Sequence, residues 1–77
     1  MKIAAICSDF DICTGLKLTG IECHHVTTEA EITTVLAALQ TADIGVLVVS
    51  ENLAESASLT KFSNANPQVL VHRQKFS

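Results

Sequence analysis

The sequence predicts a small α/β domain built around a doubly wound, parallel, four-stranded sheet. Two observations lead to this fold class. Apolar runs typical of strands alternate with segments of helical periodicity along the chain, and such alternation favours a parallel sheet covered on both faces. The chain has 77 residues, of which 48% are hydrophobic, which suits one small globular domain and no more. We expect residues 1–77 to form that domain.

The predicted strands differ in polarity, and this difference predicts their order. Ile3 to Cys7 (IAAIC) and Ile44 to Val49 (IGVLVV) are apolar throughout, as strands buried on both faces are. Ile21 to Val26 and Gln68 to Arg73 contain polar residues, so we expect them at the sheet edges. Right-handed crossovers then favour the strand order 2-1-3-4, a Rossmann-like or receiver-like arrangement.

Three helices are predicted between the strands. Gly20 is the expected terminator of the first. The second has an apolar stripe and opens with a capping box formed by Thr28 and Glu31. Ser50 is the candidate N-cap of the third. The predicted ranges are 11–19, 28–42 and 51–63.

Charge and composition exclude several classes of function. The formal net charge is −3 at pH 7 and the cations are scattered, whereas nucleic-acid binding requires concentrated positive charge. We therefore expect no nucleic-acid partner. No apolar run approaches the roughly 18 residues of a membrane span, and no signal-peptide pattern follows Lys2. With three cysteines, an odd number, the chain fits a reducing compartment, so we expect a cytoplasmic protein without direct membrane insertion.

Polar residues follow both predicted central strands. Asp9 and Asp11 follow the first strand, and Ser50 and Glu51 follow the third. Open α/β sheets bind ligands beyond these strand ends, at the point where the strand order reverses. The first turn lacks a glycine before Gly15 and its carboxylates repel phosphate, which disfavours a nucleotide. The carboxylates offer oxygen ligands for magnesium, but capping of the first helix by Asp9 or Asp11 is the favoured interpretation.

Cysteine and histidine residues do not form a recognisable catalytic or metal pattern. Cys7, Cys13 and Cys23 lack CxxC spacing, and the adjacent His24 and His25 point to opposite faces of a strand. Cysteines on apolar strands are more often core residues than ligands. No nucleophile has a base at a suggestive spacing. We expect no catalytic, cofactor-binding or metal-binding residues, and a thiol sensor through Cys13 stays as a weaker alternative.

Four segments of the chain resemble one known family. The opening, MKIAAICSDFDICTGLKLTGI, has a strand, a small residue and an acid, then Thr14 and Gly15 before an apolar-basic-apolar run. VTTEAE is similar to the start of the family's second helix, and DIGVLVVSENLAE to its third strand and helix. PQVLVHR fits its fourth strand. The family is the F subunit of the V-type (vacuolar/archaeal-type) ATPase and ATP synthase, in its prokaryotic form.

The resemblance implies a non-catalytic central-stalk subunit of a proton- or sodium-translocating ATPase or ATP synthase. Such a protein binds the coiled-coil D subunit of the stalk, helps to transmit rotation, and is peripheral to the membrane through the complex. Family members continue into a C-terminal helix, which a sequence ending in RQKFS does not include. The implied partner-binding residues are Thr14, Gly15, Leu16, Lys17, Leu18 and Glu51.

A receiver-like or metal-responsive signalling module is the alternative function. It would use Asp9, Asp11 and Glu51 as its acidic centre. A receiver domain needs an aspartate at the end of its third strand, where this chain has Ser50. The two functions differ in their expected ligand, a coiled-coil protein for the stalk subunit and magnesium for the signalling module.

Gly15 is unusual because it lies inside a predicted helix. A glycine there costs about 1 kcal/mol relative to alanine. Close packing of a neighbouring backbone explains its presence better than helix formation does. The neighbour is either the sheet of this domain or a partner protein, and the sequence leaves both open.

Overall fold

Strands and helices alternate along the chain in a computed structural model that describes residues 2–75. The elements are β1 (Lys2–Cys7), α1 (Phe10–Leu18), β2 (Glu22–His25), α2 (Glu29–Leu39), β3 (Ile44–Ser50), α3 (Ala57–Ala65) and β4 (Leu70–Gln74). A short 3-10 turn, Glu51–Leu53, lies between β3 and α3. No helix within the described residues is long and apolar enough to cross a membrane.

The strands form one parallel sheet in the order β2-β1-β3-β4, so the predicted fold class and strand order are confirmed. Composition explains this order. In β1 the side chains from Ala4 to Cys7 are almost inaccessible to solvent, and Leu47 of β3 is fully buried. In the edge strand β4, by contrast, Leu70 is 63% exposed.

Helices cover the two faces of the sheet unequally. α2 and α3 pack over one face, where Leu36 and Phe62 join Ile6 and Leu47 in the main core. α1 packs over the other face and contacts β1 and β2. Its core is smaller and contains Ala5 together with the cysteines. On the α1 face, the half of the sheet formed by β3 and β4 has no helix above it within residues 2–75.

Side-chain caps fix the starts of the first two helices. The Asp9 carboxylate accepts a hydrogen bond from the Ile12 amide at 3.0 Å and caps α1. The predicted capping box of α2 is present: the Glu31 amide donates to the Thr28 hydroxyl at 3.2 Å, and the Thr28 amide donates to the Glu31 carboxylate at 3.1 Å.

The predicted third helix is wrong in its first half. α3 begins at Ala57, and its N-cap is Ser56, whose hydroxyl accepts from the Leu59 amide at 3.3 Å. Ser50 makes no capping hydrogen bond. Its side chain is buried, and its hydroxyl accepts from the Ser8 amide at 3.3 Å. Because the Ser50 hydroxyl is bonded to the loop after β1, Ser50 precedes the 3-10 turn without capping it.

Candidate functional site

A crevice of about 840 Å³ opens at the carboxyl ends of β1, β3 and β4. The loop after β1, the 3-10 turn after β3 and the last residues of β4 form its walls. This is the place where the reversal of strand order predicts a ligand site in an open α/β sheet. The crevice is therefore the first candidate for a functional site.

Hydrogen bonds within the protein occupy the polar groups at the base of the crevice. The Ser8 amide donates to the Ser50 hydroxyl, and the Asn52 side-chain amide donates to the Ser8 hydroxyl at 2.7 Å. The ring of His25 donates to the Ser8 carbonyl at 3.1 Å. Within residues 2–75, His25 thus contacts the backbone of Ser8 and not the Ser8 hydroxyl. The network fixes the loop and does not activate a nucleophile.

Charges of both signs lie on the walls of the crevice. Asp9, Glu51 and Glu55 lie on the side of β1 and β3, and Arg73 and Lys75 lie on the side of β4. Within residues 2–75 the ring of His24 contacts the Glu22 carboxylate on β2 at 2.8 Å, and no salt bridge joins charges of the crevice. These charges are mixed in sign and solvated, which is unlike the concentrated positive field of a phosphate site.

Asp9, Asp11 and Glu51 do not gather into a metal site. The Asp9 carboxylate is used as the cap of α1, the role favoured from the sequence. Among the residues that the structure describes, no group of three or more histidine, cysteine or acidic side chains is arranged to hold a metal ion. The geometry therefore gives the magnesium-dependent alternative no support.

Cys7, Cys13 and Cys23 form one buried cluster between α1 and the sheet. Burial and the neighbouring Cys13 thiol raise the pKa of Cys23 from 9.0 to about 12. A thiol with such a pKa is protonated at neutral pH and is a poor nucleophile. From the sequence alone, Cys7 and Cys23 are each expected in the core but not together. That the three cysteines meet follows from the strand register, in which Ala5 pairs with Cys23.

The predicted partner-binding residues lie in two places. Thr14, Gly15, Leu16, Lys17 and Leu18 are in α1, and Leu16 is the half-buried member among exposed neighbours. The sixth predicted residue, Glu51, is exposed in the 3-10 turn and lines the crevice. The structure does not bring the six residues together into one patch.

Gly15 has open space around the position of a side chain. A Cβ atom built on it meets no heavy atom within 4 Å. The explanation that Gly15 packs closely against the sheet of its own domain is therefore wrong. The other explanation, close approach of a partner backbone, stays a prediction.

Comparison with known protein families is independent of the site geometry. The model of the family described as ATP synthase (F/14-kDa) subunit matches residues 3–71. The match begins in β1 and ends after the first two residues of β4, so it includes α1, α2, α3, β2 and β3 in full. No curated protein matches the chain at a significant level.

Proposed function

The chain belongs to the family of the ATP synthase (F/14-kDa) subunit, and on this basis we propose that it is a non-catalytic central-stalk subunit of a V-type ATPase or ATP synthase. In this role it binds the coiled-coil D subunit of the stalk and helps to transmit rotation between the catalytic head and the membrane ring. The family match over residues 3–71 is the observation that carries the proposal.

The chemistry of the crevice supports a non-catalytic role. The hydroxyls of Ser8 and Ser50 are tied to neighbouring groups, and the Asp9 carboxylate caps α1. Catalysis by a hydroxyl would require a base within hydrogen-bonding distance. Side chains that fix the backbone in this way are consistent with a structural subunit that keeps a rigid shape.

Bonds between distant segments support a role in transmitting force. Asn52 joins the turn after β3 to the loop after β1, across 44 positions of sequence. On the other face, Glu29 of α2 accepts hydrogen bonds from the Ser56 hydroxyl at 2.8 Å and from the Ser58 amide at 3.1 Å. Such bonds oppose sliding of one element against another, which a rotating part must resist.

The proposed location is the cytoplasmic side of the membrane, where the protein is peripheral and is held by the other subunits of the complex. This location follows from the proposed role, since a stalk subunit is attached through its protein partners. The mixed surface charge, at a net −3, gives no reason to propose direct binding to an anionic lipid surface.

A pull-down with the full-length gene product tests the proposed function. The tagged protein is expressed in its source cell, and the co-purifying proteins are identified and quantified by mass spectrometry. We expect stalk and catalytic subunits of the ATPase in fixed proportion. A tagged protein of similar size and charge serves as the control. Failure to recover any ATPase subunit from cells that contain the assembled complex would contradict the proposal.

A further inference from the structure

A row of apolar side chains crosses three strands on the α1 face of the sheet. Ile3 of β1 lies beside Val46 of β3, and Val46 lies beside Leu70 of β4. Ile3 is 44% exposed and Leu70 is 63% exposed, while Val46 and Val48 are half-buried. We call these four residues the open half-sheet. Parallel sheets are ordinarily covered on both faces, so this surface lacks its usual cover within the described residues.

One flank of α1 borders the open half-sheet. Phe10 marks the β2 side of α1, because its ring lies against His25. Ile12 comes two residues later, about 200° around the helix, and so lies on the side toward β3. Gly15 lies three residues after Ile12 and therefore shares this side of the helix. We call Ile12, Gly15 and Leu16 the Gly15 flank. Together with the open half-sheet it forms a notch with one helical wall and a floor that is apolar except for His72, which lies beside Val48.

The other flank of α1 faces the opposite edge of the sheet. The ring of Phe10 lies 5.7 Å from the ring of His25 in β2. Thr14 follows Phe10 by four residues and shares its side of the helix. Leu18 is 85% exposed and follows Gly15 by three residues, so it lies on the outward side of the helix between the two flanks. α1 therefore offers two distinct surfaces, of which one adjoins the uncovered half of the sheet.

We propose that one amphipathic α-helix of the stalk partner lies in this notch, beside α1 and across β3 and β4. This inference rests on the proposed function and specifies its contact surface. Two adjacent strands are about 10 Å wide, and a helix with its side chains is about 10 Å in diameter. Gly15 lets a helix approach α1 more closely than any other residue would, and nothing inside the domain accounts for a glycine there.

The size of the notch argues for a helix of a larger partner rather than a second copy of this chain. A self-sufficient protein interface buries about 800 Å² on each partner. The open half-sheet, about 10 Å wide and about 13 Å long, has a much smaller footprint. It is too small to hold a dimer by itself, but it suits one segment of a long helix that makes further contacts elsewhere.

The notch also defines the chemistry of the helix. Its inward stripe must be apolar, with branched or long aliphatic residues against Val46, Val48 and Leu70. Where it crosses Gly15, a small residue allows the two backbones to come close. In a coiled coil, one apolar seam of each helix is used against the other helix of the pair. The helix in the notch would therefore need a second apolar stripe, beside that seam, to contact this domain.

The first test measures the effect of a side chain at Gly15. The full-length gene product and the purified coiled-coil stalk subunit of the same complex are titrated by calorimetry. We expect Gly15→Leu to weaken binding by about tenfold or more, because the new side chain occupies the line of approach. The matched control is Ala37→Leu, which adds a similar side chain to an exposed position of α2, on the other face of the sheet. It should bind as the wild type does.

The second test places a charge in the open half-sheet. We expect Leu70→Lys to weaken binding by about tenfold or more, since it buries an unpaired ammonium under the helix. Leu70 is exposed in the free domain, so the variant should fold. The matched control is Phe10→Lys, which places the same charge at an exposed apolar residue on the β2 side of α1. Unfolding in urea checks that all four variants are folded.

The outcomes separate this inference from the proposed function. If the wild type binds the stalk subunit and both notch variants bind equally well, the notch is overturned and the proposed function stands. If Phe10→Lys alone weakens binding, the partner lies on the other flank. If Leu70→Lys instead abolishes self-association, or if a later segment of the gene product already covers Leu70, the partner helix is excluded. If the wild type fails to bind, both proposals fall.

Discussion

Gly15 lies in the middle of α1 and Gly20 lies just beyond its end. The two positions require different backbone conformations. Gly15 has ordinary helical geometry and open space around it, whereas Gly20 has φ +93°, in a region that L side chains rarely adopt. We expect Gly15→Ala to raise the free energy of unfolding by up to about 1 kcal/mol, through helix propensity. Gly20→Ala should lower it by about 1 kcal/mol or more, through backbone strain. Urea unfolding of both variants measures the two changes.

The two alanine variants control for each other, because they make the same chemical change at neighbouring sites. Destabilisation by Gly15→Ala would mean that the space around Gly15 is occupied within the domain, and it would remove the main argument for the notch. A stabilised variant that binds the stalk partner less well would show that Gly15 is kept for binding at the expense of stability.

The cysteine cluster leads to a second prediction at the residue scale. With a pKa raised to about 12, Cys23 carries about a thousandfold less thiolate than a thiol of pKa 9.0. All three thiols are also buried. We expect the folded protein to react with a thiol reagent more than about a hundredfold more slowly than the protein unfolded in urea. A thiol that reacts at the unfolded rate would favour the sensor hypothesis, and Cys13→Ser would identify it.

At the scale of elements, acidic side chains at the start of α2 hold two connections. Hydrogen bonds from the Ser58 and Ser56 side chains and the Ser58 amide hold the pKa of Glu29 below its ordinary value of 4.5. Hydrogen bonds from the backbone and hydroxyl of Thr27, and from Thr28, lower the pKa of Glu31 in the same way. Glu31 fixes the start of α2, and Glu29 joins the start of α2 to the start of α3.

These lowered pKa values predict a loss of stability in acid. In the unfolded chain both carboxyls protonate near pH 4.5, whereas the folded chain keeps them ionised to lower pH. The two ionised carboxylates therefore add to the free energy of unfolding above pH 4.5, and this stabilisation is lost as the pH falls through their folded-state pKa values. We expect Glu29→Gln and Glu31→Gln each to reduce the pH dependence of the unfolding free energy, measured in urea from about pH 7 to about pH 3.

Glu55→Gln is the control for this series, because Glu55 is exposed and lies outside the α2 caps. A comparable reduction in Glu55→Gln would show that the effect is not specific to the hydrogen bonds at the start of α2. An unchanged pH dependence in both Glu29→Gln and Glu31→Gln would show that the carboxylates gain nothing from these hydrogen bonds.

At the scale of the whole molecule, polarity in the sequence was enough to predict the sheet. The apolar runs around Ala5 and Leu47 specified the central strands, and the polar runs specified the edges. The start of α3 could not be predicted in this way. Ser50 and Ser56 are both good caps by residue type, and the choice between them depends on a bond from Ser50 to Ser8, which is 42 positions away. Contacts at that distance become visible only when the strands are in register.

The sequence predicted the position of the candidate site but not its hydrogen bonds. The reversal of strand order places a crevice beyond β1 and β3, and the structure has one there. The internal hydrogen bonds of Ser8 depend on three-dimensional neighbours, so they had no signal in the sequence. The open half-sheet was missed for a related reason. A run such as IGVLVV shows that β3 is apolar, but not that one of its faces lacks a covering helix.

Partner binding should also change the stability of the whole domain. A partner that binds only the folded state raises the free energy of unfolding by about 2.7 kcal/mol at a concentration about one hundred times its Kd. We expect the urea midpoint of the wild type to rise with the concentration of the coiled-coil stalk partner. Gly15→Leu should lose most of this rise, and Ala37→Leu should keep it. A midpoint that does not depend on the partner would contradict binding to the folded domain.

The outer edge of β4 has a consequence for how the protein behaves at high concentration. β4 is the last strand of the sheet, so one row of its backbone amides and carbonyls has no neighbouring strand within residues 2–75. A free edge of this kind is a template for the strand of another molecule, and basic side chains along it discourage such pairing. Arg73 and Lys75 are placed at the end of this edge, while Leu70 begins it without such protection. We therefore expect the isolated domain to aggregate sheet to sheet at high concentration, and a partner helix over Leu70 to reduce this by covering that side chain.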